Sequence, residues 1–222
     1  MNAKEIFDMF TAAGMTAEGA CAMLGNFAAE STSDLVPNIV ERGRTKLSDE
    51  QYTAAVDNGL LDFRDGIGYG LAQWTYGPRK VNLLSFARAN GVSVGDGYMQ
   101  VRFAIKELQS DFHTIWADLC SSRDMLLLTK LVCEQFENPA IKNTGTRYEY
   151  AKQFLQEIKN AEAKPVQPKD PIEATFPPNT SVKMIQFAMY ENGYWDIDKI
   201  TGYKSKEFFA KLREFTNDME GC

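Results

Sequence analysis

The stretch from Thr16 to Pro37 (TAEGACAMLGNFAAESTSDLVP) constrains the fold more than any other part of this chain. Thr16 is suited to cap a helix, and Glu18 lies in the first turn, where a helix N-terminus favours an anion. Beyond that turn, apolar residues recur at helical spacing, and Ala, Gly and Cys fill most other positions. A helix that is apolar on all sides is typical of a buried position. The stretch therefore predicts a central buried helix around which the domain is built.

Two strongly polar side chains follow the first turn of this helix, Asn26 and Glu30. They are four residues apart and share one strip of surface, and Glu30 lies where the helix is expected to end. Apolar surroundings disfavour the charged form of a carboxyl group, which is the property that a general acid requires. The helix alone leaves two interpretations open, a catalytic acid and a carboxylate that faces solvent.

Composition excludes several classes of function. The chain has 222 residues and a net charge of -6, which argues against a nucleic-acid-binding surface. No apolar run is long enough to span a membrane, and the first residues lack the apolar core of a signal peptide. We therefore expect synthesis in a cytoplasm, no membrane insertion, and export by some other route.

The cysteines and the one histidine argue against a metal site. The four cysteines show no CxxC spacing, and the single histidine, His113, excludes a zinc site that needs two histidines. A nucleophile paired with His113 is formally open, but a partly buried structural histidine is the favoured interpretation. We expect no metal and no cofactor.

The remaining pattern is mostly helical. Residues 2–13 predict an amphipathic helix, and Ser48 with Gln51 predicts a capping box for a short one. Residues 60–80 contain four of the glycines and predict a small β-hairpin or an extended loop. We predict an α+β fold that is predominantly α, with seven or eight helices and one small hairpin.

A shift in composition divides the chain. Residues 161–180 contain five of the eight prolines, which is typical of an extended linker. Apolar periodicity returns in residues 181–222, where two short helices are expected. The predicted organisation is a domain at 1–160, a proline-rich linker at 161–180 and a small helical module at 181–222.

Residues 17–160 resemble the phage tail-type lysozyme family, whose members share the lysozyme-like fold of peptidoglycan-cleaving enzymes. The motifs that carry the resemblance occur in consistent order: AMLGNFAAES (22–31), YTAAVDNG (52–59), FRDGIGYGLAQWTYGPRK (63–80), MQVRFAIKEL (99–108) and FENP…RYEYA (136–151). The resemblance implies that Glu30 is the catalytic acid and that residues 65–76 form one wall of a glycan-binding cleft.

Glycoside cleavage usually needs a second carboxylate besides the acid. Asp65 is our candidate because it precedes a glycine run that could bring backbone close to a sugar, although it could instead cap a turn. Enzymes of the lysozyme-like fold can also work with one acid alone. Three other acids compete with Asp65: Asp34, Glu41 and Asp62.

Five residues are predicted to bind substrate: Asn26, Tyr69, Gln73, Trp74 and Glu137. Aromatic faces stack on the CH groups of sugars, and an amide binds hydroxyl and acetamido groups. Packing between loop and helices is the alternative for Trp74. For Glu137, which precedes Asn138 and Pro139, the alternative is an ion pair with Arg147.

The C-terminal module is similar to peptidoglycan-binding domains through VKMIQFAMYENGYWDIDKITGYKSKEF (182–208), with Ser205 where a threonine is usual.

Together, the two resemblances imply a phage endolysin, a muramidase-type lysozyme that hydrolyses β-1,4 bonds of bacterial peptidoglycan strands. The alternatives are a lytic transglycosylase, a glucosaminidase, and a non-catalytic wall-binding tail protein. We expect a monomer, or a dimer through the module, held in the host cytoplasm until release to the wall rather than in a virion tail.

Overall fold

The computed structural model describes residues 1–163 and 211–212. Residues 1–163 form eight α-helices and one π-helix. In chain order these are α1 (Ala3–Ala12), α2 (Ala17–Ser31), α3 (Asp49–Asp57), α4 (Gly77–Ala89), α5 (Gly97–Ser110), α6 (His113–Ser121), α7 (Met125–Leu131), the π-helix (Val132–Glu137) and α8 (Thr144–Ala163). The prediction of a predominantly helical domain is confirmed.

Helix α2 is the buried centre of the domain, as its sequence predicts. Thr16 caps it, and α1, α6, α7 and the π-helix pack around it. Its glycines are required by close approach of neighbouring backbone, since a Cβ at Gly19 would lie 2.3 Å from the carbonyl oxygen of Leu119. A Cβ at Gly25 would lie 2.3 Å from the carbonyl oxygen of Arg147 in α8. Small side chains therefore allow α8 to reach the end of α2 that carries Glu30.

The predicted β-hairpin is wrong. In the described part of the chain no β-strand is found, and the only pairing is an isolated antiparallel bridge between Val40 and Tyr69. The backbone of residues 60–76 is instead supported by a side chain, because buried Gln100 of α5 accepts a hydrogen bond from the Leu71 amide at 2.9 Å. Gln100 also donates to the carbonyl oxygen of Pro37. A side-chain amide thus takes the place of a neighbouring strand.

Buried Lys80 holds the first half of the same loop. Its Nζ donates to Asp65 Oδ1 at 2.6 Å, to the Tyr52 hydroxyl at 3.0 Å and to the Ile67 carbonyl at 2.5 Å. It also lies 4.3 Å from the ring centroid of Phe63. Burial lowers the pKa of Lys80, and Asp65 acts in the opposite direction. The loop is therefore fastened to α4 by a cation with little contact with water.

The chain divides into two units, Met1–Ala161 and Glu162–Cys222. The predicted linker at 161–180 and module at 181–222 lie almost entirely outside the described residues, and both stay predictions. None of the helices in the described part of the chain combines the length and apolar character needed to cross a membrane.

Candidate active site

Two adjoining cavities form an open groove in the first unit, which we call the cleft. The larger has a volume of about 950 Å³ and lies between the loop at 66–77 and the segment at 135–140. The smaller, of about 670 Å³, is bordered by α2 and α8. Both are lined by Glu30, Glu41 and Gln73, so they meet at these three side chains. A polymer can therefore extend to both sides of Glu30.

Glu30 reaches the cleft because α2 ends one residue later, at Ser31. Its side chain is 15% exposed, and its Oε1 accepts a hydrogen bond from Arg147 Nη2 at 2.5 Å. Arg147 projects from α8 and is buried, so this ion pair is largely shielded from water. A charge-assisted hydrogen bond in such a place holds the carboxyl group in one position. Glu30 is thus fixed where the two cavities meet, and the group that contacts its carboxylate is a cation rather than the apolar surroundings expected from the sequence.

Asn26 supports this arrangement from below the cleft surface. It is fully buried, and its Nδ2 donates to the carbonyl oxygens of Ala22 at 2.8 Å and Thr129 at 3.2 Å. Its Oδ1 accepts from Arg147 Nη1 at 3.2 Å. Asn26 therefore orients the arginine that holds Glu30 and lines neither cavity, although it shares the predicted strip of surface with Glu30.

Glu137 lines the larger cavity at the end of the π-helix, a type of helix that is often found at functional sites. The residue is partly exposed, but both carboxyl oxygens are shielded from solvent and accept no hydrogen bond from the described residues. Burial, followed by the nearby Glu30, raises the pKa of Glu137 well above its ordinary value, against the opposing effects of Arg79 and Arg147. Glu137 therefore holds its proton more tightly than an ordinary glutamate does. The predicted alternative, an ion pair with Arg147, is not formed: Arg147 binds Glu30, and its buried Nε has no hydrogen-bond partner among the described residues.

Tyr69 and Trp74 are packing residues in this structure. Both are fully buried or nearly so, and neither lines the cleft. The Tyr69 hydroxyl lies 2.7 Å from Thr53 Oγ1, and Trp74 Nε1 donates to Glu107 at 2.9 Å. Glu107 is bound in turn by Arg79 at 2.7 Å. These rings shape the loop from beneath, and the packing alternative considered for Trp74 describes its position.

Two aromatic residues of the cleft were not predicted from the sequence, the exposed Tyr76 and the partly buried Tyr150. Tyr76 is 68% exposed and lines the larger cavity, and Tyr150 of α8 lines the smaller. Tyr76 directly precedes Gly77 and Pro78, a pattern that marks the start of a helix but does not reveal the exposure of its ring. These two rings, rather than Tyr69 and Trp74, are available to stack on a ligand.

Gln73 lines both cavities, so it lies at the wall of the cleft, and its predicted role in binding a glycan stays a prediction. Its φ is 42°, in the left-handed region that non-glycine residues seldom adopt. Its Nε2 donates to the carbonyl oxygens of Gly70 at 3.1 Å and Ile39 at 3.3 Å. Backbone strain of this kind is often found in functional regions. Here the left-handed conformation of Gln73 places its side-chain amide between the 66–77 loop and the bridge formed by Val40 and Tyr69.

The competing carboxylates are separated by the structure. The Asp65 carboxylate accepts hydrogen bonds from Lys80, Tyr52 and the Ile67 amide, and Asp65 lines neither cavity. Glu41 lines both cavities, and its side chain is 39% exposed. Its Oε2 accepts from the Gly68 amide at 3.0 Å. Glu41 therefore shares the cleft with Glu30, whereas Asp65 is occupied in fastening the loop.

Two further expectations from the sequence concern His113 and metal ions. His113 is exposed at the first residue of α6 rather than partly buried, and it lines neither cavity. Across residues 1–163 and 211–212, His, Cys, Asp and Glu side chains form no group of three or more that could hold a metal ion.

The site is an open cleft in which a glutamate is held by a buried arginine. Residues 1–158 match the family model described as phage tail lysozyme, and the chain belongs to this family. Membership indicates peptidoglycan-lytic activity. A search of curated proteins found no match to the chain.

Proposed function

We propose that this protein hydrolyses the β-1,4 glycosidic bonds of bacterial peptidoglycan strands, as a muramidase-type lysozyme, with Glu30 as the general acid. The observation that carries the proposal is the position of Glu30, held by Arg147 where the two cavities of the cleft meet. A glycan strand lying in the cleft would have sugars on both sides of this carboxyl group, as cleavage inside a strand requires.

The arginine determines which oxygen of Glu30 carries the acidic proton. Oε1 accepts from Arg147, so the proton of the acid form lies on Oε2. Among the described residues, no hydrogen bond to Oε2 is formed. In the reaction this proton moves to the glycosidic oxygen as the bond from that oxygen to the anomeric carbon breaks.

Glu41 is our candidate for the second carboxylate, in place of Asp65. The positive charge that develops on the sugar ring needs a carboxylate nearby, either to stabilise it or to activate water. Glu41 lines both cavities with Glu30, and the Gly68 amide orients its Oε2. Water then adds hydroxide to the anomeric carbon, and its remaining proton restores the acid. Tyr76 supplies an exposed ring on which a sugar can stack.

The test is the Glu30→Gln variant. Glutamine keeps the shape of the side chain but cannot deliver a proton, so we expect turbidity clearing of cell walls to fall by about a hundred- to ten-thousand-fold. Glu18→Gln is a matched control, because Glu18 lies on the same helix, is similarly exposed (20%) and contacts Arg123 at 3.7 Å, but lines neither cavity. Wild-type clearing by Glu30→Gln with an unchanged melting curve would sink the assignment.

The products distinguish the alternatives for the same cleft. Hydrolysis leaves a reducing sugar that has gained one water molecule, whereas a lytic transglycosylase leaves an internal ether without added water. A glucosaminidase would leave the other amino sugar at the new reducing end. Mass analysis of the fragments released from purified sacculi therefore identifies both the bond and the reaction, and release of no fragments would favour a wall-binding protein.

The proposal extends to the predicted module at 181–222 as a wall anchor of a phage endolysin, released from the host cytoplasm to the wall. A tethered module raises the local concentration of the enzyme at an insoluble substrate. A fluorescent fusion of residues 180–222 should sediment with cell walls. Its retention in the supernatant would contradict the anchoring role.

A further inference from the structure

The inference concerns Glu137, whose carboxyl group the mechanism above leaves unused. Its two oxygens are shielded from solvent and have no hydrogen-bond donor among the described residues, although the residue lines the larger cavity. The neighbouring Asn138 adopts a left-handed conformation with φ of 48°, and its amide donates to the Cys133 carbonyl at 2.9 Å. This contact closes the π-helix and holds Glu137 at the cleft wall.

The charged groups around Glu137 come from four other helices. Glu30 of α2 and Glu107 of α5 disfavour a second negative charge, and Arg79 of α4 and Arg147 of α8 favour one. Both arginines already have carboxylate partners, because Arg79 binds Glu107 at 2.7 Å and Arg147 binds Glu30 at 2.5 Å. Burial is the largest cause, and it raises the pKa of Glu137.

A neutral carboxylic acid differs from a carboxylate in what it can bind. It carries one O–H donor as well as a carbonyl acceptor, whereas the ionised form only accepts. A buried polar group without a partner is unfavourable, so a ligand that supplies one is bound more tightly. Both oxygens are shielded from solvent in the structure, so contact with a ligand requires a change of the Glu137 side-chain rotamer.

We propose that Glu137 is a substrate-binding acid that donates a hydrogen bond from its protonated carboxyl group to an oxygen acceptor of the glycan. The acetamido carbonyl is the acceptor that best fits, since it combines strong hydrogen-bond acceptance with the absence of charge. This proposal rests on the proposed function and deepens it by naming a binding contact on the wall opposite Glu41.

Binding is tested in full-length protein carrying Glu30→Gln, with a soluble tetrasaccharide of alternating N-acetylglucosamine and N-acetylmuramic acid. This background does not consume the ligand. It removes the Glu30 charge, so the pKa of Glu137 is lower here than in the wild type, but burial, the largest cause of the raised pKa, remains. We expect affinity to fall about tenfold for each pH unit above the pKa of Glu137, because only the protonated form donates. The binding constant is measured by titration calorimetry from acidic to alkaline pH.

Three further substitutions, each added to that background, separate binding from structure. Glu137→Gln keeps a donor and an acceptor that do not titrate, so its affinity should stay within about threefold of the parent at acidic pH and lose the alkaline decline. Glu137→Met has similar length but no donor, and should weaken binding at least tenfold without a lower Tm. Glu134→Gln, on the same π-helix but outside both cavities, should keep the parent affinity and the alkaline decline.

The proposal is overturned if Glu137→Met binds as tightly as the parent, if Glu137→Gln keeps the alkaline decline, or if the tetrasaccharide does not bind at all. Cleavage of the tetrasaccharide by the Glu30→Gln protein would refute the assignment of the acid. The Glu137 variants could still be compared after that result, because their relative affinities do not depend on which group delivers the proton.

Discussion

The loop that forms one wall of the cleft depends on a buried ion pair, and its removal is the sharpest test of how the site is built. Asp65→Asn removes the carboxylate that faces Lys80, a side chain with no solvent exposure. Removing one partner of a buried pair leaves an uncompensated charge and costs about 3–5 kcal/mol. Because the Asp65 side chain is itself 20% exposed, the lower end applies, about 3 kcal/mol.

For a domain of this size, 1 kcal/mol corresponds to about 2–4 °C in Tm, so Asp65→Asn should melt about 6–12 °C below the wild type. The double variant Asp65→Asn with Lys80→Met removes the stranded charge as well and should recover about 1–2 kcal/mol. Urea denaturation followed by circular dichroism measures the loss of stability in Asp65→Asn and its recovery in the double variant. An unchanged m-value would show that the same surface unfolds.

Turbidity clearing by the same proteins separates a fastening role from a catalytic one. The folded double variant should clear walls within about tenfold of the wild-type rate, whereas loss of a catalytic carboxylate lowers the rate by about a hundredfold or more. A double variant with wild-type stability and no lysis would refute our reasoning and return Asp65 to the catalytic role. A change below about 0.5 kcal/mol for Asp65→Asn would refute the importance of the buried pair.

Three further predictions follow from other parts of the domain. Gly25→Ala places a Cβ 2.3 Å from a backbone carbonyl of α8, so urea denaturation should show a loss of about 3 kcal/mol, and a loss below 1 kcal/mol would show that the helices can separate. Because the pKa of Glu137 is raised, the folded chain keeps a proton that the unfolded chain has lost, and the free energy of unfolding should fall with rising pH between the two pKa values. Glu137→Gln should flatten this slope and Glu134→Gln should not. Residues 1–160 alone should cleave soluble glycan fragments as the full chain does but clear intact walls more slowly, and equal rates on intact walls would contradict an anchoring module.

The regular part of the fold could be predicted from local sequence. The apolar run after Thr16 forms a helix that has no polar face. The burial of α2 therefore follows from its composition. The capping box of Ser48 and Gln51 forms as predicted, because both hydrogen bonds join residues only three positions apart. The position of Glu30 at the end of α2 followed from the same local pattern.

In the candidate site, only features that depend on residues close together in the sequence could be predicted. The aromatic residues of the 60–80 segment were predicted to face a sugar, yet Trp74 is held by Glu107 and faces the interior. The predicted hairpin failed for the same reason, because Gln100 supplies the hydrogen bond that a second strand would have supplied. These partners lie 29 or more positions away along the chain, beyond the range of any local pattern.

By itself, the sequence determined the central helix, the glutamate at its end and the absence of a two-histidine metal site. Only the tertiary structure decided which groups surround that glutamate. Arg147, 117 positions away, binds Glu30, and the carboxyl group of Glu137 has no hydrogen-bond partner among the described residues. The physical reason is that helical periodicity comes from contacts within a few residues, whereas charge pairing and burial depend on which distant side chains the packed helices bring together.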